Sequence, residues 1–301
     1  MSNDHPLVSV VIPTYNAAAF VRETIDSALA QDYKPIEIIV GDDASTDGTQ
    51  EVLRSYGDRI QTILHRKNIG NGKLRNELIA AARGTFIAPL DHDDLWLPGK
   101  LSRQVELMQA NEKAALCHTA TELFDGESGP GPIDPAAQAA INGACFPTLF
   151  RRNGVVISSA LVRRDMLPSP AFWENLAGVR DYGLWLRLLV RNEAIFLPEV
   201  LTKYRRHAGQ ITAHGSKHLQ INAGLARLRV LEEFRWCLDR KLHDELHLWA
   251  LEELSTCTYS LYWNGKCRDA RRGFIALQQN GRHVPWRHRL RAAVKSMWSR
   301  G

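Results

Sequence analysis

The sequence holds no run of about 18 apolar residues, so it predicts no helix that crosses a bilayer. Its start, MSNDHPLVSVVIP, has no basic segment, and the apolar run there is too short for a secretory leader. Cysteine is scarce and unpatterned. Cys117, Cys145, Cys237, Cys257 and Cys267 are an odd number without CxxC spacing. That argues against a zinc site or a disulfide framework and fits a reducing cytoplasm. Buried thiols acting as small hydrophobes are expected. Glycine is missing where a dinucleotide site would need it. The turn after the first apolar run reads PTYNAA, not GxGxxG, and no Walker lysine loop occurs. Any bound pyrophosphate must be neutralised by something other than a glycine loop.

What the chain does have is an ordinary globular composition, 45% apolar and 24% charged over 301 residues. That suits one large domain, or one domain with an appendage. The net charge of +5 is unevenly placed. Residues 216–301 carry 16 Lys and Arg against 8 Asp and Glu, which leaves the front of the chain slightly acidic. A basic tail can meet a membrane surface or a nucleic acid.

The apolar runs recur about every 25–28 residues: Leu7–Ile12, Ile36–Val40, Ile60–Leu64, Phe86–Leu90 and Ala114–Thr119. Helical spacing lies between them, at Ala18–Gln31, after Asp47, at Gly72–Ala82 and at Pro98–Asn111. Pro13 is expected to stop the first strand. Asp47 with Gln50 suggests a capping box. Such alternation predicts βαβ units and a mostly parallel sheet, with ligands bound beyond the strands' carboxyl ends. Glu122–Cys145, rich in Gly, Pro and Ala, reads as a flexible excursion or lid. Phe150–Val162 returns to strand-like material, and Ile195–Leu197 and Val200–Tyr204 suggest two short strands. Asp181–Val190 reads as a helix, and from Ser216 the pattern is helical to the end. The segment 285–301 reads as a basic, Trp-flanked helix able to lie in an anionic membrane interface, or as a docked helix with its arginines in water. No nucleic-acid-binding motif appears.

At the end of the fourth run, three carboxylates fall within four residues: Asp91, Asp93 and Asp94. Like charges a few Å apart raise each other's pKa unless a cation sits among them. A hard divalent ion suits such all-oxygen ligands. The plain alternative is a solvated acidic loop with one Asp capping the next helix.

Several pieces together resemble the family 2 glycosyltransferases of the GT-A fold. They are VSVVIPTYNAAAFVRETIDSALAQ (8–31), IEIIVGDDASTDGT (36–49), NIGNGKLRN (68–76), LDHDD (90–94), RDYGLWLRL (180–188) and YRRH (204–207). The resemblance covers roughly residues 6–210. It implies an α/β fold with a Rossmann-like mixed sheet and flanking helices over 1–215; it does not cover the helical extension over 216–301, which the helical pattern itself predicts. It places Pro13, Tyr15, Asp42, Asp43, Arg75 and Asp91 around the nucleotide-sugar donor. An aromatic face can stack on a base and a carboxylate can accept a uracil N–H. It gives Asp93, Asp94 and His207 to a divalent cation, Mn²⁺ or Mg²⁺, with the imidazole favouring Mn²⁺. His92 is then the middle residue of the acidic motif. Asp181 matches the general base; Arg180 stands where the family often has a second acid.

The resemblance implies inverting, metal-dependent transfer of a sugar, from a nucleotide-diphosphate donor such as a UDP-sugar, to a hydroxyl of a glycan or lipid-linked acceptor. The setting is cell-surface polysaccharide synthesis, in the cytoplasm or at the inner face of the plasma membrane. A QxxRW motif is absent, which points to one sugar per encounter. Bland readings stand beside it: Asp42 and Asp43 organising only their turn, Arg75 forming only a structural salt bridge, His207 as a loop histidine without a ligand, and Asp181 serving only as a helix cap. The alternative for the whole chain is a catalytically silent nucleotide-sugar-binding or scaffold protein.

Overall fold

Val8–Thr14 forms β1, and every residue in it is buried. A strand covered on both faces needs no polar alternation, which is why VSVVIP reads as one apolar run. In the computed structural model, which describes residues 5–126, 129–207, 217–288 and 292, β1 is the centre of a parallel half-sheet. It pairs with β2 (Ile36–Asp42) on one side and β4 (Phe86–Pro89) on the other, with Val10 level with Ile38 and Ala88. β3 (Gln61–Leu64) continues the sheet beyond β2. Past β4 the sheet becomes mixed. β8 (Ala160–Arg163) is antiparallel to β4 and to β6 (Ala114–Phe124), while β9 (Glu193–Arg205) runs parallel to β6. The two-residue β5 (Leu95–Trp96) closes that edge against β9, and β7 (Gly129–Pro130) pairs with β6.

Side chains alternate across this sheet into two cores. Val8, Val10, Ile12, Ile38 and Val40 join Ile25 of α1 (Val21–Leu29) and Leu101, Val105 and Met108 of α4 (Lys100–Ala110). Val11 and Ile39 point the other way, onto Leu74 and Leu78 of α3 (Asn71–Ala81). The approach of α3 is close enough to specify glycine. A Cβ on Gly41 would lie 2.7 Å from a Leu74 methyl and 2.9 Å from one of Leu78. Gly41 thereby lets α3 pack beneath the residues that end β2.

The chain divides into two compact units, Met1–Asn175 with Leu184–Gln210, and Leu176–Gly183 with Ile211–Gly301. The second unit contains α8 (Lys217–Glu233), α9 (Arg240–Trp263) and α10 (Cys267–Gln279). α10 crosses α9 where Gly273 meets Thr258, so tightly that a Cβ on Gly273 would lie 2.0 Å from the Thr258 hydroxyl. The first turn of α7 (Arg180–Leu189) belongs to this unit, which the linear sequence does not show. No helix among the described residues is long and apolar enough to cross a membrane.

Several local expectations need correction. Pro13 does not stop β1; it sits in the strand level with Gly41. The stretch 122–145, read as a flexible excursion or lid, contains regular elements. β6 runs on to Phe124, and β7 and α5 (Pro135–Ala139, capped by Asp134) follow. Residues 150–162 are mostly not strand: α6 (Phe146–Arg151) comes first and β8 begins only at Ala160. The two short strands at 195–204 are one strand, β9, with register shifts against β6 at Thr119–Ala120 and Ala120–Thr121. Such irregularities disguise a strand because they break its period of two. The capping box is not formed either: the Gln50 amide donates to Asp42 Oδ2 rather than returning to Asp47. The basic segment 285–301 lies outside the described residues except for 285–288 and 292.

One core residue is unexpected. Lys100, in the first turn of α4, is wholly buried, with Nζ 2.7 Å from Gln104 Oε1 and 4.3 Å from the centre of the Trp96 ring. Burial lowers its pKa from 10.5 to about 7. The unfolded chain therefore binds the proton more tightly between pH 7 and 10.5, and stability rises with pH across that window. Urea unfolding should show stability climbing from pH 7 to 9 by up to about 1.4 kcal/mol per pH unit relative to Lys100→Met. Parallel pH profiles for the two proteins would contradict this.

Candidate active site

The carboxyl ends of β1 and β2 present two loops that are stitched together. The Asn16 amide oxygen accepts from the Thr46 N–H at 2.9 Å, and the Asn16 N–H donates to Ser45 Oγ at 2.8 Å. The Ala17 and Ala18 N–H groups donate to Thr49 Oγ1 and Asp47 Oδ2. The turn stores backbone strain. Ala44 has φ +63° and Asn16 φ +50°, conformations that cost a residue with a Cβ about 1–2 kcal/mol. These bonds hold the loops rigidly while leaving the Tyr15 ring about half exposed.

Asp42 and Asp43 occupy different places. Asp42 is fully buried, and its carboxylate accepts from Thr14 Oγ1, Ser45 N, Ser45 Oγ and Gln50 Nε2. With four donors it holds the turn. Asp43 turns towards the segment before α3, where Oδ1 accepts the Ile69 N–H at 2.6 Å and Oδ2 the Gly70 N–H at 2.9 Å. Gly70, at φ +90°, is the bend from which α3 starts. Asp43 so fixes the start of the helix that carries Arg75.

Arg75 is nearly buried and reaches across to the acidic turn. Nε donates to Asn71 Oδ1 at 2.7 Å, Nη2 is paired with Asp91, and the guanidinium lies 5.5 Å from the Phe172 ring centre. Its Nη1 is buried without a hydrogen-bond partner. An orphaned donor on a cation is costly and asks for an anionic or carbonyl oxygen.

The acidic turn is over-determined. The Asp91 N–H donates to Ser158 Oγ at 3.0 Å, and the Ser158 hydroxyl donates to Asp94 Oδ2 at 2.6 Å. The Trp96 indole donates to the Ser158 carbonyl, and Thr24 Oγ1 lies 2.9 Å from the carbonyls of both His92 and Asp94. His92 Nδ1 lies 3.2 Å from the Pro13 carbonyl, which ties this turn to the end of β1. Asp91, Asp93 and Asp94 each present a carboxylate oxygen within 4.8 Å of the others. Burial, then the charges of Asp93 and Asp91, hold the Asp94 carboxyl well above its usual range, against the pull of Ser158 and the Arg205 N–H. The donor set fits a hard divalent cation, whose charge would relieve this crowding. His207 Nε2 stands 3.0 Å from Asp93 Oδ2, and its ring packs 4.7 Å from that of Phe20.

Arg205, to which the sequence reading gave no role, fastens the turn to its surroundings. It is almost completely buried, with its guanidinium 4.9 Å from the Phe20 ring centre and 4.5 Å from that of Phe124. Nε donates to the Asp93 carbonyl at 2.8 Å, the Arg205 N–H to Asp94 Oδ1 at 3.1 Å, and the two Nη groups reach Glu23 and Asp125. The clue in the sequence was its place two residues before His207. Its partners, Glu23 and Asp125, are too distant along the chain for any local pattern to reveal.

Tyr15, Asp43, Arg75, the three carboxylates and His207 thus stand on loops and helix starts of one unit. Asp181, half-buried in the first turn of α7, belongs to the other. Beside it Tyr182 is buried, its pKa pushed up to about 12 by burial, and its hydroxyl accepts from Arg227 Nε at 2.9 Å.

Comparison with known proteins bears on the family and the fold. The family model for Glycosyl transferase family 2 matches residues 9–152. An uncharacterized glycosyltransferase of Rickettsia typhi is 36% identical over 215 residues, 69% of this chain and 66% of that one. The Bacillus subtilis protein TuaG, assigned as a glycosyltransferase of teichuronic acid biosynthesis, is 31% identical over 211 residues, 68% of this chain and 81% of that one. The chain thus spans just under two thirds of the length of the rickettsial relative. Among solved structures, S. aureus TarS 1-349 in complex with UDP-GlcNAc superposes with a TM-score of 0.70 at 18% identity, over 90% of this chain and 79% of that one. The mannosyltransferase PcManGT of Pyrobaculum calidifontis, in complex with GDP-Man and Mn²⁺, gives a TM-score of 0.57 at 20% identity, over 99% of this chain and 89% of that one. At those identities the structures speak to the fold alone, which is the GT-A fold. From its motifs, its sheet and its relatives, this chain belongs to glycosyltransferase family 2.

Proposed function

We propose that the protein transfers one sugar per encounter, with inversion, from a UDP-sugar to a hydroxyl of a glycan or lipid-linked acceptor during cell-surface polysaccharide synthesis, working at the inner face of the membrane. The observation that carries this reading is the buried Arg75, bound to Asp91 of the acidic cluster and still holding one unpartnered donor. A diphosphate oxygen is the natural acceptor for that donor. The UDP-GlcNAc complex of the structural neighbour TarS and the assignment of TuaG to teichuronic acid biosynthesis support the donor class and the pathway class.

In this reading the uracil stacks on Tyr15 in the loop beginning at Pro13, and Asp43 and the Asp42-organised turn shape the base pocket. Asp91 faces the ribose or the cation. Asp93 and Asp94, with His207, hold the divalent ion, Mn²⁺ or Mg²⁺. That ion supplies neutralising charge to the diphosphate leaving group. Arg75 adds a fixed positive charge at the same place. Asp181 takes the proton from the acceptor hydroxyl, whose oxygen attacks the anomeric carbon on the face opposite the departing diphosphate.

Three outcomes are expected. Release of UDP from UDP-sugars in the presence of Mn²⁺ should fall at least about 100-fold in Asp181→Asn, with UDP affinity unchanged. Full turnover by that variant would remove Asp181 from the mechanism. Mn²⁺ should raise the melting temperature of the wild-type protein but not of Asp93→Ala, as differential scanning fluorimetry would show; an equal rise in both would place the ion elsewhere. Arg205→Ala should lose roughly 2–4 kcal/mol of stability by chemical unfolding, because the Asp93 carbonyl and two carboxylates lose a buried charged donor. A loss under about 0.5 kcal/mol, the range of ordinary surface changes, would show that Arg205 does not fasten the turn.

A further inference from the structure

Charge is segregated within the helical unit. Residues 217–258 carry six Lys and Arg against seven Asp and Glu. Residues 259–288 carry six, namely Lys266, Arg268, Arg271, Arg272, Arg282 and Arg287, against the single acid Asp269. All six cations are exposed. On α10 the division follows helical periodicity. Ala270, Gly273, Phe274 and Leu277 are buried against the unit, while Arg268, Arg271, Arg272 and Ile275 share the outer face at i, i+3, i+4 and i+7.

Large apolar side chains stand in water among these cations. Trp263 at the end of α9 is 67% exposed, Trp286 is 68% exposed and Ile275 is 47% exposed. The two tryptophans lie at the same end of the α9–α10 hairpin. The ring of His288, two residues after Trp286, sits 5.9 Å from Trp263 and is packed among Tyr259, Tyr262 and Phe274 at 5.1–6.4 Å. This aromatic clamp fixes the segment that carries Trp286 beside Trp263. Exposed indoles on a folded surface carry a cost unless something covers them. Tryptophans and arginines exposed on one small unit have the chemistry of a bilayer interface, with the rings at headgroup depth and the guanidinium groups on lipid phosphates.

We propose that this end of the helical unit, the outer face of α10 with Trp263 and Trp286, is a docking surface for an anionic phospholipid bilayer. The surface holds the enzyme where lipid-linked substrates are found, yet it stands independently of the glycosyl-transfer reading, because binding is read without donor or acceptor. Each basic side chain near such a membrane adds to binding and each is screened by salt.

The test is sedimentation of the full chain with vesicles of phosphatidylcholine containing 30% phosphatidylglycerol, against pure phosphatidylcholine vesicles. The wild-type protein should bind the anionic vesicles at least tenfold more tightly than the neutral ones. Arg268→Glu/Arg271→Glu/Arg272→Glu and, separately, Trp263→Ser/Trp286→Ser should each weaken that binding at least tenfold, with unchanged circular dichroism. All these positions are exposed, so the core does not depend on them. Wild-type binding that is equal on both vesicles, or absent, overturns the proposal. So does anionic-vesicle binding that survives loss of both tryptophans. Binding to duplex DNA that is tighter than to the vesicles and lost in the arginine variant would assign the patch to nucleic acid instead.

Discussion

Three carboxylates crowd one turn at the end of β4, and much of the surrounding structure exists to hold them there. Asp94 is buried with both oxygens engaged, one by Ser158 Oγ and one by the Arg205 N–H. Asp93 faces His207, and Asp91 faces Arg75. Left alone, such a turn would splay apart or take up protons. Instead it is pinned from four directions, by Thr24 of α1, by Ser158 before β8, by Arg205 of β9 and by Arg75 of α3. The repulsion is thus not released by movement, and it shows instead in the raised Asp94 carboxyl; a cation among the three carboxylates would relieve it.

The same logic extends to the neighbouring loops. Asp42 and Asp43 follow one another in sequence but act in opposite directions. One closes its own turn; the other reaches forward to start α3. Through Asp43 the position of Arg75 depends on β2, and through Asp91 it depends on β4. The His92 contact with the Pro13 carbonyl then links the acidic turn to the loop that bears Tyr15. Parallel strands bring all of these ends to one edge of the sheet, so the site follows from the topology.

Most of the parallel half of the sheet was legible in the sequence, because buried parallel strands are written as short apolar runs at regular spacing. The gathering of Tyr15, Asp43 and the acidic cluster was legible for the same reason, because each lies just past such a run; Arg75, within α3, was placed there only by the family resemblance. The mixed half was not. β9 is disguised by irregular register and by Pro198, and β6 outruns its apolar stretch because its last residues are only half-buried. Arg205 was missed because its partners, Glu23 and Asp125, are distant in sequence, and no local pattern encodes a tertiary ion pair. Nothing in the sequence marks Lys100 as buried; only the packing of Trp96 and Gln104 around it shows that it is.

In the proposed function, nucleotide binding depends on a cation held by the acidic turn. The most direct measurement is calorimetric titration of UDP into the protein, first with saturating Mn²⁺ and then with EDTA. The account predicts at least a tenfold gain in UDP affinity with the metal. Equal affinity under both conditions would contradict it, since three crowded carboxylates without a cation should repel a diphosphate.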